Sequence, residues 1–226
     1  NIDSYNNIDS HNNIDSYNNI DSHNNIDSYN NIGAVYLDKG DHRAALEAYL
    51  KVVAICESQL GSEHSNTTLA YSSVALVYAS MTEYDTALEY YFMAMANQEA
   101  KLGTNSLDVA TTANNIARVF KQMSDYKKAL EYYTKGSRIQ QHELGLEHTL
   151  VATGYNNMGI VYHEMGDDDT ALELFFRAVK IYKTVYGSGH ALISNTLRNI
   201  QRSTTAQNEN NNNNNNNDND NDNNNR

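Results

Sequence analysis

The sequence predicts an all-α fold: a solenoid of antiparallel helix pairs. Three observations carry that prediction. Gly61, Gly103, Gly145 and Gly187 recur every 42 residues. Ala45, Ala87, Ala129 and Ala171 keep the same period, each followed by leucine, and so do Tyr36, Tyr78, Phe120 and Tyr162. Between these markers the apolar residues keep helical spacing, as in Tyr29, Ile32, Gly33 and Tyr36. A fixed period of roughly 20–50 residues marks a repeat array, in which each unit buries its apolar face only against its neighbours.

The chain opens on five hexapeptides, NIDSYN alternating with NIDSHN. Six residues of helix turn through about 600°, so isoleucine and tyrosine walk around the axis and form no stripe. In a strand they fall on opposite faces. Neither form buries a continuous apolar face, so residues 1–24 are expected to be disordered. His11 and His23 lie too far apart in such a segment to act as a metal pair.

Residues 27–38 read as the first helix, and Lys39-Gly40-Asp41 as a stop and a start. Gly40 suits a left-handed residue after a helix end, and Asp41 suits an N-cap. A second helix runs to about residue 60 and ends at Gly61. The same order gives first helices near 66–80, 108–122 and 150–164, and second helices near 83–101, 125–143 and 167–186. At the place of Gly40 the middle repeats carry Thr82 and Ser124, where a hydroxyl cap is expected instead of a glycine turn. Small residues recur where helices must approach closely: Gly33, Ala75, Ala117 and Gly159 in first helices, and the periodic alanines in second helices. A fifth first helix, near 191–205, fades in apolar character as a terminal cap should. The domain runs over 25–206, with repeats at about 25–61, 66–103, 108–145 and 150–187 and a cap at 190–206. The Asn-rich stretch 207–226 is expected to be disordered, and such tracts can self-associate.

Formal net charge is −12, and the two ends supply most of it. Without their nine acids and Arg226, 19 acids face 15 bases. That balance lacks the basic footprint of a nucleic-acid binder. No apolar run is long enough for a membrane span. Cys56 is the single cysteine, so neither an internal disulfide nor a cysteine zinc site is expected, and a cytoplasmic setting fits. No phosphate loop, HExxH or nucleophile motif is present. The reading is therefore not an enzyme, with no cofactor and no metal. His64, His148 and His190 recur at repeat junctions, which points to packing or capping.

With Tyr155, Met158, Gly159 and Tyr162 assigned to the core, the opposite stripe of that helix is Thr153, Asn157, Ile160 and Glu164. In the other first helices the same register holds Asn31, Ser73, Asn115 and Asn199. These form an amide ladder broken only at Ser73. An amide offers a donor and an acceptor together, which matches an extended peptide backbone. Equally, such asparagines can be solvated polar positions. Arg118 and Lys121, beside Gln122, make a small basic spot, and Leu76 and Ile160 can supply an apolar pocket.

The order Gly159, Tyr162, Ala171, Leu172, Phe175, Ala178 resembles the tetratricopeptide repeat. The 42-residue period, the YNN opening and the segments LGSEH at 60–64, LGLEH at 144–148 and YGSGH at 186–190 resemble the repeats of the kinesin light chain family. Where that family carries proline after the histidine, this chain has Ser65, Thr149 and Ala191, and its third segment reads LGTNS. The resemblance implies a right-handed superhelical solenoid of about four repeats and a C-terminal cap. It implies a scaffold or adaptor that holds an extended peptide or helix of a partner in its concave groove, with asparagines on the peptide main chain. It also implies association with kinesin or the cytoskeleton. The other reading is a repeat segment of a larger regulatory or enzymatic signalling protein whose catalytic part lies elsewhere.

Overall fold

The structure, a computed structural model, describes residues 25–223, with side chains through Glu209. Residues 1–24, expected to be disordered and holding His11 and His23, lie outside the described residues. Nine helices and no strand are found among the described residues. They are α1 (25–38), α2 (His42–Leu60), α3 (Ser65–Ser80), α4 (Tyr84–Leu102), α5 (Leu107–Gln122), α6 (Tyr126–Leu144), α7 (Thr149–Glu164), α8 (Asp168–Tyr186) and α9 (Ala191–Asn223). Contacts separate two units, Asn1–Thr104 and Asn105–Arg226. Unit 1 holds α1–α4 and unit 2 holds α5–α9. No helix among the described residues is long and apolar enough to cross a membrane.

The periodic residues are the ones that make these helices stop and start. Gly61, Gly103, Gly145 and Gly187 follow the second helices with φ between 74° and 89°, a region side chains avoid. Each donates its backbone N–H to the last turn, for example Gly145 N to Gln141 O at 3.0 Å. The junction histidines are N-caps. His64 Nδ1 accepts from Asn66 N at 3.2 Å, His148 Nδ1 from Leu150 N at 3.2 Å and His190 Nδ1 from Leu192 N at 3.3 Å. In LGTNS, Ser106 Oγ does the same work for Val109 N at 3.3 Å. Asp41, Asp125 and Asp167 cap α2, α6 and α8.

One expectation changes here. Thr82 and Ser124 do not cap; they keep the left-handed turn of the glycine they replace, at φ 64° and 60°. The caps are the next residues, and Glu83 makes no side-chain cap bond. The turn's geometry is imposed by the packed helices on either side, so the local preference gives way. The last helix, α9, begins at Ala191, where the terminal cap was expected, and runs on to Asn223. Beyond Gly189 the chain holds no glycine and no proline to stop it.

In unit 1 the core joins Tyr49, Val52, Val53 and Cys56 of α2 to Ala70, Tyr71, Val74 and Val77 of α3. Cys56 is fully buried, and burial pushes its thiol pKa up. Tyr90 of α4 stacks on Tyr78 at 5.8 Å. In unit 2, Ala152 of α7, Ala178, Val179 and Tyr182 of α8, and Ile193 of α9 form a second core. The close approaches fall where the small residues predicted them. A Cβ added at Gly33 would lie 2.7 Å from the Tyr49 ring, and one at Gly159 2.7 Å from Phe175. The core of α7 differs in detail from the sequence reading. Val151, Ala152, Gly159 and Val161 are buried, whereas Tyr155, Met158 and Tyr162 are half-buried. A tyrosine with its ring in the core keeps its hydroxyl at the wet edge.

Candidate functional site

The stripe named from the sequence falls in two parts, one in each unit. In unit 1, Asn31 on α1 is exposed, and Ser73 and Leu76 on α3 are half-buried. Ser73 Oγ donates to Leu69 O at 3.2 Å, so this hydroxyl is turned onto its own helix. Ser80 does the same with Leu76 O at 2.9 Å. Short hydroxyl side chains reach the carbonyl four residues back, and an asparagine inside a helix has no equally easy bond of that kind.

In unit 2 the stripe runs over α5, α7 and α9. Asn115, Asn157 and Asn199 are all half-buried, as is Ile160, while Arg118 and Gln122 are exposed. The structure ties adjacent first helices together beside this stripe. Lys121 Nζ lies 3.2 Å from Glu164 Oε1. Asn199 Nδ2 donates to Asn156 Oδ1 at 3.2 Å. The side chains of Asn115 and Asn157 have no hydrogen-bond partner among the described residues. The expected basic spot is thereby reduced: Lys121 is held by Glu164, and Arg118 alone presents its cation outward.

Tyr133 of α6 lies beneath this region and was not singled out by the sequence reading. It is almost fully buried, and burial pushes its phenol up to about 12, with Arg118 acting against that rise and Glu164 adding to it. The Arg118–Tyr133–Glu164 grouping joins three helices of unit 2. Its only sequence signal was the recurrence of an aromatic at the place of Tyr49, Tyr91 and Phe175. Asn114, the residue before Asn115 on α5, turns inward. Its Oδ1 is buried without a partner, against the α6 backbone at Gly136, where an added Cβ would lie 2.5 Å away.

One cluster in unit 2 has the composition of a hydrolytic triad. His163 Nδ1 lies 2.6 Å from Asp168 Oδ1 and 3.0 Å from Ser203 Oγ. Proton relay needs the serine and the carboxylate on different ring nitrogens. Here both meet Nδ1, and Ser203 is fully buried. The cluster fastens α9 onto α7 and α8, helped by Gln207 donating to Asp169.

The tetratricopeptide repeat family matches residues 24–100, 67–142 and 150–208. No curated protein matches the chain. Among solved structures, BtubC (BKLC) of P. vanneervenii superposes with a TM-score of 0.71 at 26% identity, covering 80% of this chain and 72% of that one. A putative kinesin light chain of Podosopora anserina, with nearly identical TPR-like repeats, reaches 0.70 at 22% identity, covering 81% and 87%. The apo form of RapI reaches 0.67 at 19% identity, covering 82% of this chain and 49% of its own.

Proposed function

The chain belongs to the tetratricopeptide repeat family, with repeats of the kinesin light chain type, and from that premise we propose that it is a scaffold or adaptor holding an extended peptide or helix of a partner protein along its first helices. The observation that carries this reading is the pair Asn115 and Asn157. They sit at one register on successive first helices of unit 2, half-buried, with side-chain amides that no described residue occupies. A peptide main chain supplies both a donor and an acceptor to such an amide. Arg118 adds a cation beside the pair, suited to an acidic side chain of the same peptide. Cytoskeletal association belongs to the same reading through the kinesin light chain likeness, and the family's fold is in general a non-catalytic one. The test is affinity capture from the source cell with the whole chain and with Asn115→Ala/Asn157→Ala. Each bond is worth about 0.5–1.5 kcal/mol, so partner capture should fall roughly tenfold or more while helicity and melting stay the same. Equal capture by the double variant contradicts the proposal.

A further inference from the structure

Unit 1 carries a cavity of about 330 Å3 on the side of its first helices. Its floor is apolar: Ile26 of α1, Ala70 of α3 and the Tyr49 ring from α2. Its rim is polar: Asp27 and Asn30 from α1 and Asn66 from α3. Neither α1 nor α3 contains a lysine, arginine or histidine. Among the described residues, nothing bonds the Asp27 carboxylate or the Asn30 and Asn66 amides. None of the four lysines and arginines of unit 1, Lys39, Arg43, Lys51 and Lys101, lines this cavity. Lys51 is held by Glu47 at 2.9 Å, over the Tyr29 ring, and Lys101 donates to Ser65 Oγ and lines a different cavity with Glu63 and Asn97.

We infer that this cavity receives the lysine or arginine side chain of a peptide lying along α1 and α3. The inference rests on the peptide-binding reading and adds the chemistry of one anchor. A long basic side chain lays its methylene stem on apolar surface and keeps its charged head at a polar rim. Ile26, Ala70 and Tyr49 provide that surface, and Asp27 provides the counter-charge, with the two amide oxygens as further acceptors. The competing ligand is an anion, because helix N-termini attract negative charge. That pull is already answered at both helices. His64 Nδ1 caps α3 at Asn66 N, and Asp27 itself lies in the first turn of α1. An acidic anchor would meet a full like charge against about half a charge of dipole. A purely apolar anchor would strip water from three polar groups and leave them unpaired.

The test uses the full ¹⁵N-labelled chain and short capped peptides that differ only in a central lysine, arginine, glutamine or glutamate. The lysine and arginine peptides should bind about two- to fivefold tighter than the glutamine peptide, the size expected of a partly exposed ion pair, with glutamate weakest. Their binding should shift the amide resonances of Asp27, Asn30 and Asn66. Asp27→Asn should bring the lysine peptide to the glutamine level, and Asp27→Glu should restore the preference. Equal affinities for all four peptides, or a lysine preference that survives Asp27→Asn, overturns the inference. The groove reading is tested separately, by partner capture with Asn115→Ala/Asn157→Ala. If that capture is unchanged while Asp27→Asn removes the lysine preference, the cavity assignment stands and the amide ladder falls.

Discussion

The first helices of the two units share one register and present different chemistry. In unit 1, Ser73 and Ser80 spend their hydroxyls on the carbonyls of their own helix, and no basic residue stands on α1 or α3. In unit 2, Asn115 and Asn157 keep their amides open, and Arg118 and the Lys121–Glu164 pair flank them. The difference teaches that a polar letter in a helix stripe is not interchangeable with its neighbour. Serine is short enough to satisfy itself, whereas asparagine waits for a partner. One backbone period can therefore carry a self-satisfied rung at Ser73 in one unit and open rungs at Asn115 and Asn157 in the other.

The largest effect bears on what the two units have in common. Tyr71 in unit 1 and Tyr133 in unit 2 are both held up to about 12 against an ordinary value of 10, Tyr71 by burial and by its bond to Glu57 Oε1 at 2.5 Å. A raised phenol pKa means that the neutral form is favoured by folding. The stability is fully present below pH 10 and is lost as pH rises from 10 through 12, at about 1.4 kcal/mol per pH unit per group. Denaturant unfolding across that window should show the loss, and Tyr71→Phe/Tyr133→Phe should flatten the slope. Next come the tight approaches. Gly33→Ala and Gly159→Ala each push a Cβ into an aromatic ring and should cost about 1–3 kcal/mol. Similar losses in thermal melts would show that the units are built alike in their cores; a loss at one site only would break that equivalence.

Smaller effects sharpen the contrast. Thr82 and Ser124 hold a left-handed turn once per unit. Thr82→Gly and Ser124→Gly should each stabilise the chain by roughly 0.5–1 kcal/mol, the relief of the turn offset by the entropy of glycine. Denaturant midpoints check this, and a lower midpoint for Thr82→Gly would contradict it. On the receptive face, Asn115→Ser should weaken a partner as much as Asn115→Ala does, since the serine hydroxyl would bond back to Thr111 O. A Ser at 115 that binds like Asn would erase the distinction drawn between the two units.

Much of this was legible in the sequence. The 42-residue period of Gly61, Gly103, Gly145 and Gly187 located eight helix boundaries to within a residue or two, because those glycines end helices by backbone geometry alone. Gly33 and Gly159 announced their close approaches because they lack the Cβ that would meet the rings of Tyr49 and Phe175. What the sequence hid is what depends on partners across helices. Thr82 and Ser124 looked like caps, since a hydroxyl letter carries no sign that packed helices force it to a φ of 64° or 60°. Lys121 looked like a free cation, because its partner Glu164 is 43 residues away. Ser73 stood in the stripe as the break in the ladder, and the rotamer that turns its hydroxyl onto Leu69 O is set by the helix. The cavity at Asp27 and Asn66 needed two helices brought side by side.

The central claim is that open amides on the first helices of unit 2 hold a partner's main chain. The most direct measurement is calorimetric titration of a captured partner peptide into the whole chain and into Asn115→Ala/Asn157→Ala. Loss of about tenfold or more in affinity, with an unchanged melting temperature, is the result predicted from two hydrogen bonds of about 0.5–1.5 kcal/mol each. The same affinity for both proteins would contradict it.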